Sequence, residues 1–208
     1  MRQLIFAFFL ICSLHSLLAR PVSVAGFFPL PQSGREVYNF NPGWRFQLGD
    51  VAGAQAIDFD DSRWEVVSLP HSVALVPAEA SGGRNYQGIA WYRKRFVIPE
   101  LAGEKNVTLH FEAIMGKQQF YLNGKLIKEH RGGYLPITLD LTTAGCQTGD
   151  TCVVAVMADN SNDKSYPPGK PQYTLDFAYH GGIYRDAWMI VKNQAAITDA
   201  LEAKTVAG

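Results

Sequence analysis

"FYLNGKLIKEH", Phe120 to His130, is the stretch that decides the fold class. Two strand-forming runs flank Asn123-Gly124, the strongest short hairpin signal because both turn residues tolerate positive φ. Upstream, "NVTLHFEA" alternates Val107, Leu109 and Phe111 with Thr108, His110 and Glu112. That is the two-residue period of a half-buried strand. "IAWYRKRFVI" places Tyr92, Lys94 and Phe96 on one face and Trp91, Arg93 and Arg95 on the other. Downstream, "TCVVAVMA" and "AWMIVK" are apolar and rich in β-branched residues, suited to the inner strands of a sandwich. Turn-rich pieces such as "PAEASGGRNYQG" and "DNSNDKSYPPGKPQY" separate these runs. No segment beyond the N-terminal one has a sustained helical period. The expectation is all-β, a single β-sandwich domain.

The chain of 208 residues carries 19 Lys and Arg against 19 Asp and Glu, a formal net charge of zero. That excludes the basic stripe a nucleic-acid binder needs to displace counterions. Aromatics at 12% and charged residues at 18% leave enough apolar material for a sizeable core. The opening "MRQLIFAFFLICSLHSLLA" has Arg2 ahead of an apolar run from Leu4 to Leu18, interrupted by Ser13, His15 and Ser16. It is short for a membrane span and reads as a secretory signal within residues 1–25, cleaved after Ala19 or Ala25. Ile11 before Cys12 is wrong for a lipoprotein cleavage site. The expectation is an exported chain, periplasmic or extracellular, with no membrane segment once the signal is removed. The domain then runs over 26–192. Residues 193–208, "QAAITDALEAKTVAG" and the Asn before it, read as a linker or the start of a further domain.

With the signal removed, Cys146 and Cys152 remain, in "CQTGDTC". A close pair across a Gly-Asp turn in an exported chain suggests a disulfide, stabilising by about 2 kcal/mol on the chain-entropy model. Two buried free thiols are the alternative. A zinc site is disfavoured because no second Cys or His pair stands at ligand spacing. Asn106-Val107-Thr108 is a formal glycosylation sequon.

Catalytic apparatus is not evident in these residues. Most acids sit in turns ("FDDS", "QTGD", "DNSND"), where Asp caps backbone groups, and Glu112 has no acidic partner for glycosidase chemistry. No Ser stands in a G-x-S-x-G elbow, and no Gly-rich phosphate loop appears. His71 and His130 read as structural, and the histidines lack metal spacing. The stretch "LDFAYHGGIYRD", Leu175 to Asp186, stands apart. It follows the stiff "YPPGKPQ" loop and sets Asp176 among aromatics, before a Gly181-Gly182 pair whose lack of Cβ permits close approach. A carboxylate on a rigid loop beside aromatics suits sugar hydroxyls. An Asx-type turn with solvent-facing aromatics is the structural alternative.

Four motifs, "WEVVSLPHS", "GIAWYRKRF", "FYLNGKLIKEHRGGYLPITLDLT" and "LDFAYHGGIYRDAWMI", resemble in this order the N-terminal sugar-binding domain of glycoside hydrolase family 2. The resemblance runs from about Phe40 to Lys192, and "DNSNDKSYPPGKPQYTLDF" looks closest to secreted bacterial β-galactosidases. It implies a jelly-roll, galactose-binding-domain-like sandwich. In the family this packs against an immunoglobulin-like domain and a barrel that holds two catalytic glutamates of a retaining mechanism. Those domains are outside this sequence, so the resemblance assigns no catalytic residue here and makes the chain a fragment or an isolated N-terminal domain. It implies a β-galactoside as substrate, with the absent domains as partners. Asp176 matches the family's acid that reaches substrate hydroxyls and, in some β-galactosidases, a sodium ion. Gly181, Gly182, Tyr184 and Arg185 match the turn that shapes its delivery. A sodium or magnesium ion would belong to the full enzyme, with no cofactor in this chain. The short "ASGGRNYQG" loop gives no clear match to the second pocket asparagine of some β-galactosidases, and Asn85 is a poor candidate. Arg95 and Arg185 are candidates to pair with acids at a domain junction. Two other readings remain: an accessory domain of a β-glucuronidase or β-mannosidase, or a free-standing carbohydrate-binding module stacking sugars on Tyr166, Tyr173 and Tyr179.

Overall fold

The computed structural model describes residues 35–75, 85–100 and 104–197. The expected signal segment and the tail beyond residue 197 lie outside these. Among the described residues, ten strands follow in chain order: β1 (Arg35–Asn39), β2 (Trp44–Leu48), β3 (Glu65–Val67), β4 (Ile89–Val97), β5 (Lys105–Phe111), β6 (Lys117–Leu122), β7 (Lys125–Arg131), β8 (Ile137–Asp140), β9 (Thr151–Asp159) and β10 (Ala187–Asn193). They form two antiparallel sheets, ordered β1-β10-β5-β8 and β3-β2-β4-β9-β6-β7. The sheets pack face to face as a jelly-roll sandwich.

The β6–β7 hairpin forms where its turn dipeptide places it, with Asn123 at φ 49° and Gly124 at φ 82°. Alternation then sets the inner face. Val107, Leu109 and Phe111 of β5, Phe120 and Leu122 of β6, and Val154 and Val156 of β9 enter one core with Tyr92 of β4. An aromatic ladder crosses it, Phe40 to Trp44 to Phe111 to Phe120, with ring centroids 5.6, 6.0 and 5.6 Å apart. Cys146 and Cys152 are joined in a disulfide and wholly buried at the end of β9. The sequon falls inside the paired strand β5, where the Thr108 hydroxyl donates to the Ile190 carbonyl at 3.3 Å. That is a sheet position, not the surface loop that glycosylation uses.

The outer face of the larger sheet is not simply solvated. The segment between β2 and β3 folds over it, and Ala54, Phe59 and Trp64 pack on Trp91 and Ala155. Arg93 pins this cover. It is 1% exposed and donates from Nε to Asp61 Oδ2 at 2.9 Å, and from Nη1 to the carbonyls of Ala54 and Ala56. Arg95, by contrast, donates to the Ile57 carbonyl, and Arg185 is exposed with no ion pair among the described residues. The paired arginine is therefore Arg93, because burial under a folded-over loop demands charge satisfaction that the exposed arginines obtain from water.

Candidate functional site

Asp176 lies in the long connection between β9 and β10, which is fixed to the sandwich on both sides of it. Asn160, at the end of β9, is the first anchor. Its Oδ1 accepts from Gly88 N at 2.9 Å, and its Nδ2 donates to the Tyr86 carbonyl at 2.6 Å. Its own carbonyl accepts from Gln172 Nε2 at 3.1 Å, and Gln172 N in turn donates to Asn162 Oδ1 at 2.8 Å. Gln172 is fully buried and opens a single 3-10 turn, Gln172–Thr174, just ahead of Leu175 and Asp176. On the far side, the Asn85 amide donates to the Tyr179 carbonyl. Between these anchors Asp176 is exposed, and no hydrogen bond or ion pair engages its carboxylate among the described residues. It is not an Asx-turn cap.

The glycine pair then locks the connection onto the sandwich. Gly182 adopts φ +92° and lies against the Tyr92 hydroxyl, with Val73 Cγ1 only 2.9 Å from where a Cβ would stand. A Cβ on Gly181 would meet Asn160 and Val73. This absence of side chains lets three backbone bonds close: His71 N to Ile183 O at 2.8 Å, Val73 N to Gly181 O at 3.1 Å, and Met115 N to Gly182 O at 3.2 Å. Tyr184 donates its hydroxyl to the Gly133 carbonyl, and Asp186 accepts from Asn41 Nδ2 at 2.5 Å. Gly181, Gly182 and Tyr184 thus hold the turn, while Arg185 is exposed and makes no ion pair among the described residues.

The tyrosines expected as a stacking platform are mostly inside. Tyr166 and Tyr179 are each 9% exposed, and burial pushes the Tyr166 hydroxyl up to about 12 and raises that of Tyr179. Only Tyr173, at 72%, and the half-exposed Phe177 present rings to solvent on this connection. The platform reading fails because two of its three rings, Tyr166 and Tyr179, are buried and only Tyr173 is exposed.

Asn85 gains a place that its sequence context did not suggest. Its amide nitrogen is spent on Tyr179, and its Oδ1 is buried with no donor among the described residues. A buried acceptor left unpaired costs about 1–3 kcal/mol. Asn160 and Gln172 carried no signal beyond their place in a turn-rich run. No group of three or more His, Cys, Asp or Glu able to hold a metal occurs among the described residues. Asp176 alone does not make a sodium or magnesium site.

Residues 70–193 match the family described as "Glycosyl hydrolases family 2, sugar binding domain". A β-galactosidase of Thermoanaerobacter pseudethanolicus is 36% identical over 166 residues, covering 80% of this chain and 22% of that protein. A β-glucuronidase of Formosa agariphila is 29% identical over 180 residues, covering 81% and 18%. The solved structure of Bacteroides uniformis β-glucuronidase 2, covalently bound to cyclophellitol-6-carboxylate aziridine, superposes with a TM-score of 0.66 at 31% identity, covering 76% of this chain and 18% of that one. The chain spans about a fifth of the length of these relatives.

Proposed function

The chain belongs to the sugar-binding domains of the family 2 glycosyl hydrolases, and from that premise we propose that it serves an exported enzyme acting on β-galactosides, lending the Asp176 carboxylate to a pocket completed by other domains. The observation that carries this reading is the contrast between Asp176 and its surroundings. The connection is anchored at Gln172 and at Tyr179, yet the carboxylate between them is exposed and unengaged. A rigidly held, unpaired carboxylate accepts hydroxyl hydrogen bonds without first breaking its own.

Hydrolysis of this family's kind needs two carboxylates flanking one bond. Asp176 has no such partner among the described residues, so its role is binding and orientation. Calorimetric titration of this chain with galactose and with glucuronate is the direct test. Weak or absent heats, with no hydrolysis of an aryl glycoside, are expected. Measured hydrolysis by the chain alone overturns the reading.

A β-glucuronoside is the second reading, favoured by the glucuronidases among the relatives and solved structures. A preference for glucuronate over galactose in that titration selects it.

A further inference from the structure

We propose that His71 and Tyr92 form a proton-operated latch on the Gly181–Ile183 turn that follows the Asp176 loop, so that His71 and Tyr92 act as positioning residues and acid releases the turn. His71 Nδ1 lies 2.9 Å from the Tyr92 hydroxyl, and the same His71 donates its backbone N–H to the Ile183 carbonyl at 2.8 Å. Tyr92 is fully buried, and its hydroxyl is packed against Gly182. The hydroxyl proton has one acceptor among the described residues, His71 Nδ1, which assigns the neutral tautomer with its proton on Nε2.

Protonation inverts this arrangement. With a proton on Nδ1, the imidazole aims a donor at the hydroxyl, and the hydroxyl's own proton loses its acceptor. Relief requires the His71–Val73 segment and the Gly181–Ile183 segment to part, and three backbone bonds link that turn to the sandwich. Burial lowers the His71 pKa below the ordinary histidine value, so the latch is closed at neutral pH and opens in acid. The other titratable groups facing His71 are Glu65 on β3, whose charge favours the imidazolium, and His180, whose Nδ1 reaches the adjacent Ser72 Oγ at 3.0 Å. The Phe46 ring, 4.6 Å from the imidazole, adds no charge.

The consequence for sugar binding rests on the reading above, because the turn lies just beyond Asp176 and Tyr179. The latch itself is measured without sugar, so either can fail alone. Amide hydrogen exchange of this chain, followed by NMR from about pH 7.5 to about pH 5 and corrected for intrinsic rates, reads it directly. Protection at the His71, Val73 and Met115 amides should fall about tenfold, the scale of one lost buried hydrogen bond, with a midpoint at the titration of His71 itself. Amides of the β5–β10 ladder should keep their protection. His71→Asn retains an acceptor near the Nδ1 position and takes no proton, so its protection should stay constant with pH. Flat protection in the unsubstituted chain while His71 titrates overturns the latch, as does a fall that persists in His71→Asn. The unsubstituted chain decides the matter if the variant does not fold.

Discussion

Gln172 Nε2 donates to the Asn160 carbonyl at 3.1 Å, and this one bond ties the foot of the Asp176 loop to the end of β9. Gln172 is fully buried, so Gln172→Ala leaves a cavity and removes the donor to Asn160. A loss of about 2 kcal/mol in urea denaturation is expected. Increased amide exchange should be confined to the β9–β10 connection.

Gly182→Ala tests the close approach that lets the turn dock. The residue has φ +92°, and the new Cβ would run into the Tyr92 hydroxyl and Val73. Strain and overpacking together should cost about 3 kcal/mol, measured by chemical denaturation. Gly49→Ala, at φ +94° with nothing near its Cβ position, isolates the backbone part and should cost less.

Arg93 is a buried cation whose partners are Asp61 and loop carbonyls. Arg93→Ala strands those acceptors and frees the cover over the outer face, for about 3 kcal/mol. Exposure of Trp64 and Trp91, read by fluorescence quenching before global unfolding, is the accompanying sign.

Stability should depend on alkaline pH through Lys94. Its ammonium donates to the Phe40 and Pro42 carbonyls, each at 2.8 Å, and lies 3.9 Å from the Phe40 ring centroid. Burial pushes it down to about 8 from an ordinary 10.5. Between these values the unfolded chain holds a proton that the folded chain has released, so stability rises with pH. The buried tyrosines act oppositely. Tyr92 and Tyr166 are raised by burial, so above about pH 10 the unfolded chain loses protons that the fold retains, and stability falls. Urea midpoints taken at stepped pH should rise and then fall, and Lys94→Met should flatten the rising limb.

Local rules made much of the sandwich legible. Asn123-Gly124 needs no distant contact to specify its turn, and β5 and β4 show their core faces by alternation because one side of each meets the other sheet. Arg93 was misleading for the same reason. Alternation sends it to the outer face, and only the fold of a separate segment between β2 and β3 makes that face an interior. Tyr166, in a polar, proline-rich run, and Tyr179, beside the glycine pair, read as surface aromatics, yet both are buried. Asn160 and Gln172 look like ordinary turn residues, since a hydrogen bond to a backbone group far along the chain leaves no periodic trace. The Gly-Gly turn beyond Asp176 drew attention to that loop; the anchors on either side of it left no such mark.

The central claim is that Asp176 is held out for a sugar and not for the fold. The decisive measurement is kcat/KM for an aryl β-galactoside in an enzyme carrying this domain, compared between Asp176 and Asp176→Ala, with urea denaturation of both. The account predicts a loss of about tenfold or more, the scale of a charge-assisted hydrogen bond, with stability unchanged within about 0.5 kcal/mol. Undiminished turnover together with a lowered urea midpoint would contradict it and make Asp176 a structural residue.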